Sequence, residues 1–203
     1  IYYWWQAGAT EALKTLGFEL TSNKLSIVGA SAGSLSATLA ATGVDANTSL
    51  DLALALCDEY GVWEKGGLQF VWGGMVRQWL EELLPHDAAE ICRDRVHIHT
   101  LRLLPPKKLK ISDFSDKDDL IEACMASVHI PWFMDKHFSA RYRGNRYIDG
   151  SWRLSDTECS LGDEGYNTVW LDYARDDQMS LRKRDFLKLT NRDGLEAMME
   201  SGY

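Results

Sequence analysis

The sequence has no long apolar run. Its longest helix-like apolar stretch, Leu52–Cys57, falls far short of the roughly 18 residues of a membrane-spanning helix. Cysteine is sparse: the four residues at 57, 92, 124 and 159 form no CxxC pair. Their flanks, LALCDEY, AEICRDR, IEACMAS and DTECSLG, share nothing. That pattern speaks against a zinc site and a repeat, and reads as reduced thiols. Positive charge is in deficit, with 22 basic against 30 acidic residues and a net charge of −8. This argues against a nucleic-acid binder held by a broad basic surface. The same deficit argues against strong dependence on anionic lipid and leaves neutral or zwitterionic partners open. No targeting signal is visible: the chain opens at Ile1 with no basic segment ahead of an apolar core, and it reads as a piece of a longer protein. No internal repeat or low-complexity linker appears.

What is present is ordinary globular material. The chain has 203 residues, of which 45% are hydrophobic and 26% charged. That length suggests one domain with a tail, large enough to need no disulfide or metal staple. Tyr2–Leu16 reads as a helix stopped by Gly17. Leu25–Val28 reads as a strand, followed by a glycine turn and a helix over Leu35–Ala41 that ends at Gly43. Thr48–Tyr60 is a second helix with Thr48 as its cap. Apolar residues from Leu68 to Leu84 recur at a helical period, although Gly73 and Gly74 weaken the middle. A short helix from Asp87 to about Arg95 comes next, then a strand over Val96–Leu103 stopped by Pro105-Pro106. Lys107–Phe114 looks extended, Asp116–Ser127 helical, Arg146–Ile148 and Thr168–Tyr173 strand-like, and Arg192–Ser201 an amphipathic helix. Strands alternating with helices indicate an α/β layered fold with a mostly parallel sheet between helices.

Gly29-Ala30-Ser31-Ala32-Gly33 fits G-x-S-x-G, the nucleophile elbow. A nucleophilic serine must stand clear of the sheet on a sharp turn, and side chains two positions either side would clash there, hence Gly29 and Gly33. The following helix points its N-terminus at the reacting carbonyl, and the Ala32 N–H is one donor for the developing oxyanion. The other reading is a plain glycine-rich strand-to-helix turn; a phosphate loop would want the lysine of GxxxxGK[ST], and none is near. Histidines at 86, 97, 99, 129 and 137 all follow Ser31, so the order Ser, Asp, His is formally available through His129 or His137, but no histidine follows Asp149. A carboxylate serves as base if it sits directly against the hydroxyl. Taken alone, Asp149 before Gly150 reads first as an Asp-Gly turn.

Four stretches, taken in order, resemble the patatin-like phospholipases, and most of all their adiponutrin-type branch. They are Gly29 to Ser34, Leu83 to Ala88, Ile111 to Ile121 with Ala126 to Pro131, and Arg141 to Gly150. The resemblance covers about residues 1–175 as an acyl-hydrolase domain and leaves 176–203 as a charged, partly helical tail. It implies a three-layer α/β fold and hydrolysis of glycerolipid acyl esters through a Ser31–Asp149 dyad and an acyl-enzyme. It further implies that no metal, cofactor or histidine takes part. Expected partners are a lipid substrate and a membrane or lipid-droplet surface touched peripherally, with a cytoplasmic or peripheral-membrane location. Most oxyanion donors are expected upstream of Ile1. The family usually reads Asp-Gly-Gly where this chain has Asp149-Gly150-Ser151.

Two other readings stand beside it: a soluble α/β-hydrolase esterase using His129 or His137, and a catalytically weak lipid-surface binding module. Trp4, Trp5, Trp63, Trp72, Trp79, Trp132 and Trp152 are candidates for an interfacial or acyl-binding surface, or else for the core. The Leu68–Leu84 stripe is a candidate acyl groove. Lys107-Lys108-Lys110 and Arg182-Lys183-Arg184 are candidate headgroup contacts or solvated faces.

Overall fold

The computed structural model describes residues 2–65, 67–152, 168–172, 176 and 190–203. Helix α1 (Tyr2–Thr15) buries Tyr3, Trp4, Trp5, Ala7 and Ala9, and Gly17 closes it in the left-handed region at φ 89. Strand β1 (Ile27–Ala30) runs through Ser31 into α2 (Ala32–Thr42), which Gly43 ends, also left-handed. The small residues of α2 let it pass through the middle of the molecule, with every residue from Ser34 to Ala41 buried. Helix α3 (Ala46–Glu59) starts two residues ahead of the expected cap: the cap is Asp45, not Thr48, and the Asp45 carboxylate accepts the Thr48 N–H at 2.7 Å. An extended Asp satisfies that amide from outside the helix, which lets the helix begin earlier.

Helix α4 (Val62–Lys65) precedes α5 (Trp72–Leu83), so the apolar stripe from Leu68 is not one continuous helix. Phe70 breaks it by adopting φ 69. Gly73, a weak helix former, lies inside α5 because another backbone comes close. A Cβ there would lie 2.8 Å from the Met134 carbonyl oxygen, and the Gly73 N–H donates to that same oxygen. The stripe itself faces inward: Met75, Val76, Trp79 and Leu80 are all buried in the core rather than lining a groove. Trp79 packs edge-on against Tyr3 and Trp4 and donates its indole N–H to the Ser49 carbonyl.

Helix α6 (Ala88–Cys92) leads to β2 (Val96–Leu103) and β3 (Pro106–Ile111), and α7 (Lys117–Ser127) follows, capped by Asp116. Strands β4 (Ala140–Tyr142) and β5 (Asn145–Ile148) form a hairpin, and α8 (Arg192–Gly202) closes the chain. The sequence pattern did not show β4, which is only three residues long. The strand expected over Thr168–Tyr173 is not found: residues 168–172 carry no regular structure, and Tyr173 lies outside the described residues. Cys57, Cys92 and Cys124 are free and buried, and Cys159 lies outside the described residues.

The sheet is mixed α/β in character. The expected parallel pairing is that of β1 with β2, Ala30 opposite His99. The β2–β3 and β4–β5 pairs are antiparallel because each is joined by two residues, a length that closes only antiparallel neighbours. Strand β5 also runs antiparallel to β2, Ile148 opposite Leu101. Since β3 occupies the far edge of β2 from Ile98 to Leu103, β1 and β5 share the other edge end to end. They run in opposite senses, so both carboxy ends arrive beside Thr100. Helix α2 packs on β1 and β2, α7 on β2, β4 and β5, and α8 on α1.

The α1–α8 crossing is a backbone contact. A Cβ on Gly8 would lie 1.9 Å from the Met199 carbonyl oxygen, and one on Gly202 would lie 2.0 Å from that of Trp5. Gly8→Ala should therefore lower the melting temperature by roughly 3–8 °C despite the better helix propensity of alanine. An unchanged melting temperature in a thermal scan would show that α8 does not hold to α1 in solution.

Candidate active site

Ser31 sits between β1 and α2 with φ 53 and ψ −127. A non-glycine residue rarely takes such a conformation, and it persists only where surrounding structure imposes it. Gly29 is part of that imposition, since a Cβ there would lie 2.0 Å from the Gly33 carbonyl oxygen. Gly33 is different. A Cβ at 33 would meet only the Gln6 side chain, at an ordinary 3.6 Å, so the clash expected on that side of the elbow is absent. Of the two glycines, the one before the serine is the one that geometry demands, because the turn folds the α2 backbone back over it.

Asp149 follows β5 directly. The Ser31 hydroxyl donates to Asp149 Oδ2 at 2.6 Å, across 118 residues of sequence. The other carboxylate oxygen, Oδ1, accepts both the backbone N–H and the hydroxyl of Ser151, at 2.9 and 2.6 Å. Asp149 is buried, so these bonds leave its carboxylate one fixed orientation toward Ser31. Position 151 does not adopt positive φ, so a serine is tolerated where the family usually has glycine, and here its hydroxyl holds the carboxylate. Gly150 is required by contact: a Cβ would lie 1.8 Å from the His99 carbonyl oxygen.

Ser127, at the end of α7, joins the two arms, a role that no pattern in the sequence marks. Its Oγ accepts the Ser31 N–H at 2.9 Å and donates to the His99 carbonyl at 2.7 Å. Its own carbonyl accepts the Gly150 N–H at 2.8 Å, while that of His129 accepts the Asp149 N–H at 2.9 Å. A fully buried hydroxyl thus sets the backbone of the elbow, and the end of the same helix sets the backbone under the carboxylate. Its signal was available only as a small polar residue at a helix end, which ordinarily reads as capping or packing.

With the Ser31 amide committed to Ser127, the first amides of α2, on Ala32 and Gly33, are the ones that lack intrahelical acceptors beside the Ser31 hydroxyl. They are the local donors for negative charge at this point. Among the described residues no histidine ring hydrogen-bonds Ser31. His129 Nε2 lies 3.3 Å from the His137 carbonyl, and burial holds the His129 ring below the ordinary histidine value. His137 is exposed beside Asp135, His86 is exposed in the α5–α6 turn, and His97 and His99 stand on β2. The described residues contain no group of three side chains suited to hold a metal. Among the candidate tryptophans, Trp4, Trp5 and Trp79 are core, Trp72 packs edge-on against Phe133, and Trp63, Trp132 and Trp152 are exposed. Lys107, Lys108 and Lys110 lie on β3, and Arg182–Arg184 lie outside the described residues.

A strained serine on a strand–turn–helix elbow thus faces a carboxylate at the end of a neighbouring strand. Residues 1–156 match the patatin-like phospholipase family model, and the chain belongs to that family. It is 31% identical over 148 residues to the human omega-hydroxyceramide transacylase, covering 72% of this chain and 28% of that protein. It is 26% identical over 148 residues to the mouse 1-acylglycerol-3-phosphate O-acyltransferase Pnpla3, covering 72% and 36%. With the human patatin-like phospholipase domain-containing protein 2 it shares 31% identity over 152 residues, covering 74% and 29%. The chain thus spans about a quarter to a third of the length of these relatives.

If Ser127 positions the elbow, Ser127→Ala should lower kcat for ester turnover by roughly 10- to 100-fold while KM stays near its original value. A steady-state comparison of the two parameters checks it. An unaltered kcat, or a loss confined to KM, would mean that the elbow keeps its shape without this hydroxyl.

Proposed function

We propose that this chain is the catalytic part of a lipid acyl hydrolase in which Ser31 is the nucleophile and Asp149 the base. The observation that carries the reading is the 2.6 Å hydrogen bond from the Ser31 hydroxyl to Asp149 Oδ2, with no imidazole between them. Ser31 Oγ attacks the ester carbonyl carbon as its proton passes to Asp149. The carbonyl oxygen gains negative charge beside the Ala32 and Gly33 amides, where the N-terminus of α2 favours it. Collapse breaks the bond to the leaving alcohol, which takes the proton back from Asp149 and leaves an acyl group on Ser31. A second hydroxyl then attacks the acyl carbon as Asp149 again accepts the proton, and collapse breaks the bond to Ser31 Oγ, which takes that proton back from Asp149.

If that second hydroxyl belongs to water, the outcome is hydrolysis. If it belongs to a lipid, the outcome is acyl transfer, a reading favoured by the transacylase and acyltransferase names of two of the relatives. The chemistry on Ser31 and Asp149 is the same in both. Substrates in this reading are long-chain glycerolipid esters presented at a lipid surface. The direct hydrogen bond supports a dyad over a triad, since His129 is engaged with the His137 backbone instead.

Asp149→Asn should reduce acyl turnover by about 10² to 10⁴, the usual contribution of a positioned general base. His129→Ala and His137→Ala should each keep most of it. The check is turnover of a long-chain glycerolipid ester by the four proteins, followed both as free fatty acid and as transferred acyl group. A folded His129→Ala or His137→Ala that has lost activity as fully as Asp149→Asn would replace the dyad with a triad.

A further inference from the structure

The loop between α7 and β4 is placed by the site itself. It departs from Ser127 and His129, whose carbonyls hold the amides of Gly150 and Asp149. It rejoins the sheet at Ala140, opposite Tyr147, one residue from the end of β5. The loop therefore stands at the end of the sheet where Ser31 and Asp149 meet. Its base is fixed. Met134 is buried, Phe133 packs edge-on against Trp72, and the carbonyls of Phe133 and Met134 accept the N–H groups of Phe70 and Gly73.

The tip of this fixed loop is apolar and faces water. Trp132 is 59% exposed and Phe138 45% exposed, their ring centroids 4.9 Å apart. The Trp132 N–H donates to the His137 carbonyl, and the His137 N–H to the Asp135 carboxylate, so the turn is closed on itself. Phe70, hydrogen-bonded to the loop, is 46% exposed. Trp132 and Phe70 both have positive φ, at 58° and 69°. Bulky aromatic residues rarely adopt that region, where glycine or asparagine would be relaxed. Two exposed aromatics are thus held in strained backbone, and the Phe70 N–H bond to the carbonyl of Phe133, next to Trp132, ties their segments together. Backbone hydrogen bonds to Phe133 and His137 hold the two positions, and both rings stay at the surface, where kept strain points to a role.

Charge indicates what the tip meets. From Pro131 to Arg146 the sequence has Lys136, Arg141, Arg143 and Arg146 against Asp135 alone, a local charge of +3 in a chain of −8. Arg143 is paired with Asp119, while Lys136, Arg141 and Arg146 are exposed. A projecting aromatic tip with a basic flank suits the boundary of a bilayer. Aromatic rings settle at headgroup depth there, and Lys and Arg meet anionic lipid. We propose that the Trp132–Phe138 tip, with Phe70 beside it, is a preformed anchor that seats the chain on an anionic lipid surface with the Ser31 site at that surface. The proposal rests on the lipid-ester reading of the site, and it locates attraction to anionic lipid in one segment of a chain whose total charge opposes it.

The experiment uses the intact protein with vesicles of phosphatidylcholine alone or mixed with phosphatidylserine. Co-sedimentation gives binding, and turnover of a vesicle-borne ester is measured relative to a dissolved short-chain ester. Trp132→Asn/Phe138→Ser, which suits the left-handed backbone at 132, should weaken binding to both vesicles about tenfold or more. The turnover ratio should fall in parallel. Phe70→Asn should act in the same direction from the other segment, so that misfolding of one variant does not decide the matter. Lys136→Glu/Arg141→Glu should abolish the preference for phosphatidylserine and leave binding to phosphatidylcholine. Ser31→Ala should bind as the original protein does. The proposal is overturned if the aromatic variants bind vesicles undiminished, if phosphatidylserine makes no difference to the original protein, or if that protein binds no vesicle. It is also overturned if the substitutions dissolve a protein complex in gel filtration while leaving vesicle binding intact. Loop-dependent binding without ester turnover would uphold the anchor and defeat the dyad, whereas turnover with loop-independent binding would do the reverse.

Discussion

Strands β1 and β5 approach each other along one edge of β2, and the gap beside Thr100 is where their ends arrive. Because one runs with β2 and the other against it, both present their carboxy ends to the same place. Ser31 is the residue after the first strand and Asp149 the residue after the second, so strand pairing alone carries them together across 118 residues. The remaining features of the site make that approach sterically possible. Gly29 and Gly150 lack a Cβ where a backbone carbonyl lies within 2.0 Å of its place. Ser127 ties the elbow to β2 through its hydroxyl and the Asp149 segment to α7 through its carbonyl. Each device is small, and each fails differently: a Cβ at 150 would push the strands apart, whereas losing the Ser127 hydroxyl would leave them paired but free the elbow.

What could be read in the sequence follows from how local its cause is. The elbow was legible because a strand, a strained turn and a helix lie within one short stretch, and glycines mark the turn. Helix α5 was legible from its period, but its start was not. The reason is Phe70, whose positive φ is imposed by the backbone of Phe133, a segment remote in sequence. Asp149 carried no chemical signal of its own. The strand over Arg146–Ile148 could be read, but β4 has only three residues, too few for a periodic pattern, and the Asp-Gly pair after β5 reads as a turn. Only the resemblance over Arg141 to Gly150 singled it out. Ser127 was invisible, since its two side-chain partners come from β2 and the elbow, and nothing near it in sequence requires a hydroxyl. Tryptophan content was informative about neither role until the fold sorted Trp4, Trp5 and Trp79 into the core and Trp132 to the surface.

A base fixed on both oxygens suits a site with two half-reactions. Asp149 is held by Ser151 on one oxygen and meets the Ser31 hydroxyl with the other, so in the proposed reaction it would need no motion to serve acylation and release alike. Choice between water and a lipid hydroxyl as acceptor then falls to whatever surrounds the acyl-enzyme. A site seated on a lipid surface meets a high local concentration of lipid hydroxyls and little bulk water. Geometry at the end of the sheet and attachment of the neighbouring loop are thereby linked in one account of the chemistry.

The central claim is that strand convergence makes Ser31 the reactive serine and Asp149 its activator. The most direct measurement is peptide mapping of the intact protein after treatment with a fluorophosphonate, which labels activated serines. The account predicts a single stoichiometric adduct on the peptide containing Ser31, none in Ser31→Ala, and labelling slowed by at least about tenfold in folded Asp149→Asn. An adduct on another serine, or full-speed labelling of Ser31 without the Asp149 carboxylate, would contradict it.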